Sequence, residues 1–470
     1  MLQAAEARRE EWKIIVVRDN GAEFLAIETE GVLTLPRVKI PKGSRAAEEL
    51  NHQLKTIWHL DSFSLHPLTI TPLDGEAWNS RVHVAEAVHH HAAAPTGARW
   101  LSASAFDEID SFEAADLAAV HAWRDDLTRD VEDGAPTPFG KPGSLARLQS
   151  WVQQALQPSG LAVGTRFVQL NADKRFSLVR FETEKHAVWF KAVGEPNIRE
   201  FPLTVALSEL FPEYLPHLFA TAPQWNAWLA DEVPGVRLSD RDNADAWASV
   251  ARDLADLQVS SLPWKEQILQ CGSRDIRSNV LLAKIGPFFA MLRELMESQT
   301  NPLPSRLSAR DLTQLESDTR DALSDLHEDD MPDSLGHLDL NPGNIIVSAT
   351  GTKFLDWAEA SVGHPFLTLA YLLEYFRRNI QASPDGPSCL IREYERAWKS
   401  GGYLGNAEKS ICLALFLAIF AHAVSTDPWQ TPSQLLKPSV AGYYRSLARR
   451  MKSYSSRIRA GATCPTEVWA

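Results

Sequence analysis

The chain alternates between stretches with the two-residue period of strands and stretches with the three-to-four-residue period of helices. Trp12 to Val17 and Glu23 to Glu28 are β-rich runs on either side of Asn20-Gly21, which predicts two strands joined by a turn. Ala46, Leu50, Leu54 and Ile57 recur at helical spacing and predict a helix over Ala46 to Trp58. Arg81 to Val88 is strand-like. Leu145 to Leu156 has the pattern of an amphipathic helix, and strands follow it. Phe176 to Thr183 and His186 to Val193 flank Glu184-Lys185 as a hairpin, and Asn226 to Glu232 adds another strand. Beyond Asp240 the period becomes helical: Trp247, Val250, Ala251, Leu254 and Leu257 form one stripe, and Leu312, Leu315, Thr319, Ala322 and Leu326 another. A strand-rich region followed by a helix-rich one predicts an α+β fold in two lobes.

Composition sharpens this picture in three places. Val131 to Ser144 packs three Pro and three Gly into 14 residues, which is linker composition and sets a small α+β domain at 1–130 apart from the rest. Forty-seven Lys and Arg against 60 Asp and Glu leave a net charge of −13, a poor basis for a nucleic-acid partner. Cys271, Cys389, Cys412 and Cys464 lie far apart without CxxC spacing, as in a reducing compartment. The first residues, MLQAAEARREEWK, lack the apolar core of an export signal. The longest apolar run, Ile411 to Val424, is interrupted by His422 and is shorter than the roughly 20 residues a membrane span needs, so it predicts a buried core helix. The expectation is a cytoplasmic protein without a membrane partner.

Chemistry concentrates in Gly336 to Trp357, where His337, Asp339, Asn344 and Asp356 stand among aliphatic residues. Ile345-Ile346-Val347 and Lys353-Phe354-Leu355 flank the turn-like Ala349-Thr350-Gly351. A hairpin centred on Thr350 pairs 345 with 355 and 346 with 354, and sets Asn344 opposite Asp356. Directly opposed residues hold their Cβ atoms about 5 Å apart. Two oxygen-bearing side chains at one end of a hairpin suit Mg²⁺, which takes few protein ligands and completes its octahedron with water and substrate phosphates. Asp339 lies on a loop that Pro342-Gly343 keeps from being helical, where it could accept a proton from an attacking hydroxyl.

His337-Leu338-Asp339-Leu340-Asn341-Pro342-Gly343-Asn344 resembles the HGDxHPxN signature of the aminoglycoside phosphotransferase and choline kinase superfamily, whose fold is protein-kinase-like. Asp356-Trp357 resembles its second metal motif, and the following AEASVGHPFLTLAYLL is similar to the segment after that aspartate. The resemblance spans Leu145 to Leu447. It implies a nucleotide-binding β-rich lobe at 145–235 and a helical lobe at 236–470 with the catalytic loop and acceptor site. It implies Asp339 as the catalytic base, Asn344 and Asp356 as Mg²⁺ ligands, and His337 as a brace for the loop. Leu338 stands where the family has Gly, and Asn341 where it has a second His. Val188-Trp189-Phe190-Lys191 is similar to the strand whose lysine holds the ATP phosphates, with Glu200 as its acidic partner and Glu209 as the fallback. Ser177 follows a glycine-poor loop and is a candidate phosphate contact. Trp228 to Glu232 looks like the hinge whose backbone meets adenine.

Other features read as structural. Glu359 is expected to be solvated or structural, His364 to pack, the His89 to His91 tract to be an exposed loop, and the basic residues between Arg445 and Arg459 to form a solvated helix face. LPRVKIPKGSRAAEELNHQLKTIWHLDSFSL with VHVAEAV is faintly similar to a Nudix fold, but His52-Gln53 replaces the metal-binding Glu pair. The functional expectation is an ATP- and Mg²⁺-dependent phosphotransferase acting on a hydroxyl of a small molecule. The alternatives are a catalytically silent kinase-like module that binds nucleotide or a partner, and a protein kinase. The acceptor and the oligomeric state stay open.

Overall fold

The computed structural model describes residues 9–68, 81–89, 93–104, 112–132, 138–328, 331–380, 386–403 and 407–469. The chain forms two compact units: Met1–Phe201 with His217–Glu232, and Pro202–Pro216 with Val233–Ala470. The architecture is α+β, with unit 1 rich in strands and unit 2 mainly helical.

Unit 1 opens with strands β1 (Arg9–Arg18), β2 (Glu23–Thr29), β3 (Val32–Thr34) and β4 (Arg37–Pro41) and helix α1 (Ala46–Trp58). Strands β5 (Ser62–Leu68), β6 (Arg81–Ala87) and β7 (Ala98–Ser102) and helix α2 (Ala114–Glu132) follow. The seven strands form one sheet with β3-β2-β1-β6-β5 as successive neighbours, β4 joined to β1 and β7 to β2. All of Trp12 to Val17 is buried, because both faces of β1 are covered. Trp12, Ile14 and Val16 pack with Leu50 and Leu54 of α1, while Ile15 and Val17 pack with Val120 and Trp123 of α2. Lys13 escapes the cost of burial by an ion pair with Asp116 at 2.5 Å.

Helix α3 (Ser144–Leu156) leads to β8 (Val163–Ala172), β9 (Ser177–Thr183) and β10 (Ala187–Ala192). Helix α4 (Glu200–Leu210), which belongs to unit 2 from Pro202 on, comes next, and then β11 (Leu218–Ala222) and β12 (Ala227–Asp231) of unit 1. These strands make an antiparallel sheet in the order β11-β12-β10-β9-β8. The two sheets share one hydrophobic core: Ile15, Val17, Phe63 and Val84 of the first lie in the same cluster as Val179, Phe181, Val188 and Phe190 of the second. Leu148 and Val152 of α3 complete it. The segment read as a linker contributes too. Phe139 is buried with its ring 5.7 Å from Phe190 and 5.9 Å from Trp225. The buried Glu86 carboxylate accepts from the N–H groups of Gly143 at 2.5 Å and Leu145 at 2.7 Å, satisfying the free donors at the start of α3. The compact unit thus includes both the expected accessory segment and the expected nucleotide-binding sheet.

Unit 2 continues with β13 (Val236–Arg237), α5 (Ala244–Ser261), α6 (Lys265–Gln270), β14 (Arg274–Ile276), α7 (Ser278–Glu297) and α8 (Ala309–His327). Then come β15 (Ser334–His337), β16 (Ile345–Ser348), β17 (Gly351–Phe354) and β18 (Ala360–Gly363). Helices α9 (Pro365–Asn379), α10 (Gly386–Ser400), α11 (Ala407–Ser425), α12 (Pro432–Leu435), α13 (Pro438–Arg459) and α14 (Pro465–Trp469) close the chain. The two predicted stripes, on α5 and α8, are buried in full. Ile411 to Ala421 is buried around the whole circumference of α11, as a core helix requires. Among the described residues no helix is long and apolar enough to cross a membrane.

The basic residues of α13 qualify one expectation: though partly or, at Arg459, largely exposed, they are engaged by neighbouring elements. Arg449 donates to the carbonyl of Ser305 at 2.8 Å and to Gln299 at 2.5 Å. Lys452 pairs with Asp311 at 2.7 Å, Arg459 with Asp318 at 3.2 Å and Arg450 with Glu374 at 2.9 Å. They hold α13 to the helices beside it.

Candidate active site

In unit 2 the candidate loop leaves the buried strand β15, the edge of a three-stranded sheet in the order β14-β18-β15. Gly336 is required there by space: a Cβ would lie 2.7 Å from Ser361 Oγ and 2.8 Å from Thr368 Oγ1. The next residue, His337, is buried, and its backbone N–H donates to Thr368 Oγ1 at 3.1 Å. Its ring bridges two backbone segments. Nε2 lies 3.1 Å from the carbonyl oxygen of Leu355, and Nδ1 accepts from the N–H of Asp339 at 3.2 Å. Those partners require the neutral tautomer with the proton on Nε2. Burial pushes the imidazole below its ordinary value, against the pull of the Leu355 carbonyl and of Asp356, Asp339 and Glu359.

The loop beyond is tied by its own side chains. Asn341 Oδ1 accepts from the Gly343 N–H at 3.0 Å and Asn341 Nδ2 donates to Asp339 Oδ2 at 3.3 Å, so the residue standing in place of the family's second His orients the candidate base. Pro342–Asn344 is a single 3₁₀ turn. Asn344 Nδ2 faces the Asp339 carbonyl at 3.4 Å. Leu338 is buried in the unit 2 core, and its N–H donates to the Glu359 carbonyl at 3.0 Å. Burial pushes the half-buried Asp339 carboxyl above its ordinary value, and the charges of Asp356 and Glu359 push the same way, with Asn341 and His337 opposing.

The hairpin forms, with a corrected register. Ile345 pairs with Phe354, Ile346 with Lys353, Val347 with Thr352 and Ser348 with Gly351. The turn has two central residues, Ala349 and Thr350, not one residue at the apex. Ser348 Oγ ties it by donating to the Gly351 carbonyl at 2.9 Å, and Gly351 takes φ +124°. Asn344 therefore faces Leu355, whose N–H donates to the Asn344 carbonyl at 2.8 Å, and does not face Asp356. Asp356 comes one residue later in the left-handed conformation, φ 64°, ψ 63°. It is exposed and begins the turn Trp357–Glu359. Trp357 underlies the loop with its ring 5.0 Å from that of His337. Among the described residues no group of three or more His, Cys, Asp or Glu is arranged to hold a metal. The donor chemistry of Asn344 and Asp356, two hard oxygens with one exposed, fits Mg²⁺ with water and phosphate filling the remaining positions.

Glu359 is structural. Arg274 Nη2 donates to Glu359 Oε1 at 2.8 Å, and Arg274 also donates to the carbonyl of Ser425. The pair joins residues 85 apart, and no local pattern signals it. His364 packs as expected: its Nδ1 accepts from the Phe366 N–H at the head of α9.

Unit 1 carries the other predicted set. Lys191 Nζ donates to Glu200 Oε1 at 2.5 Å, with side chains 16% and 2% exposed. Glu200 is the first residue of α4, so Pro202 falls in the first turn where proline costs nothing. Glu209 is exposed and plays no part in this pair. Lys191 stands opposite Trp228 on β12, with Nζ 5.7 Å from the indole centroid, and Phe201 stacks on Trp228 at 6.5 Å. Trp189, on the same face of β10, donates from Nε1 to Glu232 Oε1 at 3.3 Å, and Glu232 also receives Arg180 Nε at 2.6 Å. Ser177 does not join this set: it is fully buried and its hydroxyl faces the interior. His90 and His91 of the histidine tract lie outside the described residues.

Residues 224–401 match the sequence model of the Phosphotransferase enzyme family. The match covers the His337–Asn344 loop and Asp356. No curated protein matches the chain. Among solved structures, the choline kinase LicA from Streptococcus pneumoniae is 13% identical, covering 65% of this chain and 99% of its own, with a TM-score of 0.41. The macrolide 2'-phosphotransferase MphH from Brachybacterium faecium is 15% identical over 64% of this chain and 97% of its own, TM-score 0.41. An ethanolamine kinase from Plasmodium vivax is 14% identical over 70% of this chain and 93% of its own, TM-score 0.44. The family match and the loop geometry together support a phosphotransferase enzyme.

Proposed function

We propose that the chain moves the γ-phosphoryl group of ATP to a hydroxyl of a small molecule, with Mg²⁺ as the required ion. The observation that carries this reading is the bracing of Asp339: one neutral histidine accepts from its backbone N–H and holds the strand end before Asp356, while Asn341 orients its carboxylate. A proton acceptor locked to the residue before a candidate metal ligand is what in-line phosphoryl transfer needs.

In this reading Asp339 takes the proton of the acceptor hydroxyl as its oxygen bonds to the γ-phosphorus, and the bond from that phosphorus to the leaving ADP oxygen breaks. Asn344 and Asp356 hold Mg²⁺, whose charge would offset that of the phosphates. Lys191, aimed by Glu200, meets the α- and β-phosphates, as point charges of lysine do. Residues 145–235 are assigned to the nucleotide and 236–470 to the acceptor. Leu338, standing where the family has Gly, is buried in the unit 2 core.

The test is a screen of hydroxyl-bearing metabolites with labelled ATP and Mg²⁺. Label transferred to a small molecule, lost in Asp339→Asn and Asp356→Ala while Asp339→Asn still binds ATP, supports the reading. Nucleotide binding with no transfer to any acceptor returns the silent module, and label on protein returns a protein kinase.

A further inference from the structure

The expected accessory segment has no chemistry assigned, yet within unit 1 it grips one loop of the second sheet. That loop, Asp173 to Phe176, joins β8 to β9 and closes with a hydrogen bond from the Asp173 N–H to the Phe176 carbonyl at 2.8 Å. Lys174 Nζ donates to Asp126 Oδ1, on α2, at 2.6 Å. The other oxygen of Asp126 meets His66 Nε2, on β5, at 3.0 Å, and His66 is 1% exposed. Two further contacts hold the same residue: the Phe139 N–H donates to the Lys174 carbonyl at 3.2 Å, and a Cβ on Gly140 would lie 2.9 Å from Lys174 Cγ. Strand β8 is held as well. Gln169 Oε1 accepts from Asn51 Nδ2 of α1 at 3.0 Å and from the Ser64 N–H at 2.7 Å.

The far side of the loop touches the strand end that carries Lys191. A Cβ on Gly194 would lie 2.6 Å from Arg175 Cβ, so only glycine lets Arg175 settle there. Phe176 packs against Val193, Trp228 and Ala230. The loop is therefore clamped between Asp126 and the surroundings of the Lys191–Glu200 pair.

We propose that the N-terminal α+β segment sets the position of the β8–β9 loop through the Asp126–Lys174 ion pair, and so tunes the hold on nucleotide phosphates beside Lys191. Asp126 is a positioning residue and touches no substrate. The nucleotide part of this proposal rests on the phosphotransfer reading above. Helix α1 and strand β5 hold β8 through Asn51 and Ser64.

The test uses the full chain with Lys174→Met, Asp126→Asn and, as the conservative control, Lys174→Arg. Lys174 is partly exposed, so Lys174→Met keeps the core if Asp126→Asn fails to fold. Amide hydrogen exchange at residues 174–176 is expected to quicken at least tenfold in Lys174→Met and to stay near wild type in Lys174→Arg. The KM for ATP is expected to rise about fivefold with kcat within twofold, a split that general destabilisation would not produce. Unchanged exchange in Lys174→Met, or faster exchange with KM unmoved, overturns the proposal. A wild-type protein that binds no MgATP defeats the phosphotransfer reading instead, and the clamp is then judged on exchange alone.

Discussion

His337 Nε2 lies 3.1 Å from the carbonyl oxygen of Leu355, the residue before Asp356, while Nδ1 of the same ring accepts from the N–H of Asp339. One neutral imidazole therefore sets the spacing between the candidate base and the candidate metal ligand. Replacing His337 by Ala leaves a buried carbonyl without its donor and frees the Asp339 loop. The expected outcome is a loss of about 10- to 100-fold in kcat, the range seen when a group orienting a metal ligand is removed. His337→Gln, which keeps a donor in reach, should recover part of it. Steady-state kinetics at saturating MgATP checks this, and equal losses in both variants would contradict it.

With Asp339 as the base of the proposed phosphoryl transfer, its carboxyl sets the acid limb of activity. Its pKa is raised, so the base is lost at a higher pH than an ordinary aspartate, and kcat should fall about tenfold per pH unit below that point. Glu359→Gln removes one of the charges that raise it and frees Arg274, so the limb should move to lower pH. A pH–rate profile of the two proteins reads the shift; an unmoved limb would show that Glu359 does not act on Asp339, and an upward one would contradict the sign.

Gly336 has no room for a side chain. Gly336→Ala forces a methyl group against Ser361 and Thr368 and should cost about 1–3 kcal/mol of stability, the usual range for overpacking. Because the strain falls next to His337, kcat should drop along with the unfolding midpoint. Denaturant unfolding of wild type and variant measures the first, and an unchanged midpoint would mean that β15 and β18 part without cost.

Acid should weaken both units through buried histidines. Burial pushes His83 in unit 1, with His66 adding to the effect, and His364 in unit 2 down to about 3. Between pH 6.5 and 3 the unfolded chain binds a proton at each that the folded chain refuses, so stability falls as pH falls through this window. From pH 6.5 to 5 the loss is about 2 kcal/mol for each group. Denaturant unfolding at pH 7 and pH 5 should show it, and His83→Leu should flatten the pH dependence by one group's share. An equally steep curve in that variant would contradict the assignment.

The elements were legible because their signals are local. The helix expected over Ala46 to Trp58 is helix α1, and the strands flanking Glu184-Lys185 are β9 and β10. The pairing of Lys191 with Glu200 was what the family resemblance implied, and the contact joins residues only nine apart. The hairpin register was not legible, since one residue more or less at the turn is decided by how Ser348 and Gly351 close it.

What the amino-acid sequence by itself determined is which chemical groups are present, in what order, and on which local elements, because periodicity, turn residues and spacing act over a few neighbours. Tertiary structure alone decided that Asp356 turns in a left-handed conformation beyond the hairpin, that Arg274 neutralises Glu359, and that Asp126 reaches Lys174 across 48 residues. Those outcomes depend on which distant surfaces are buried against each other, and burial is a property of the packed chain rather than of any segment of it.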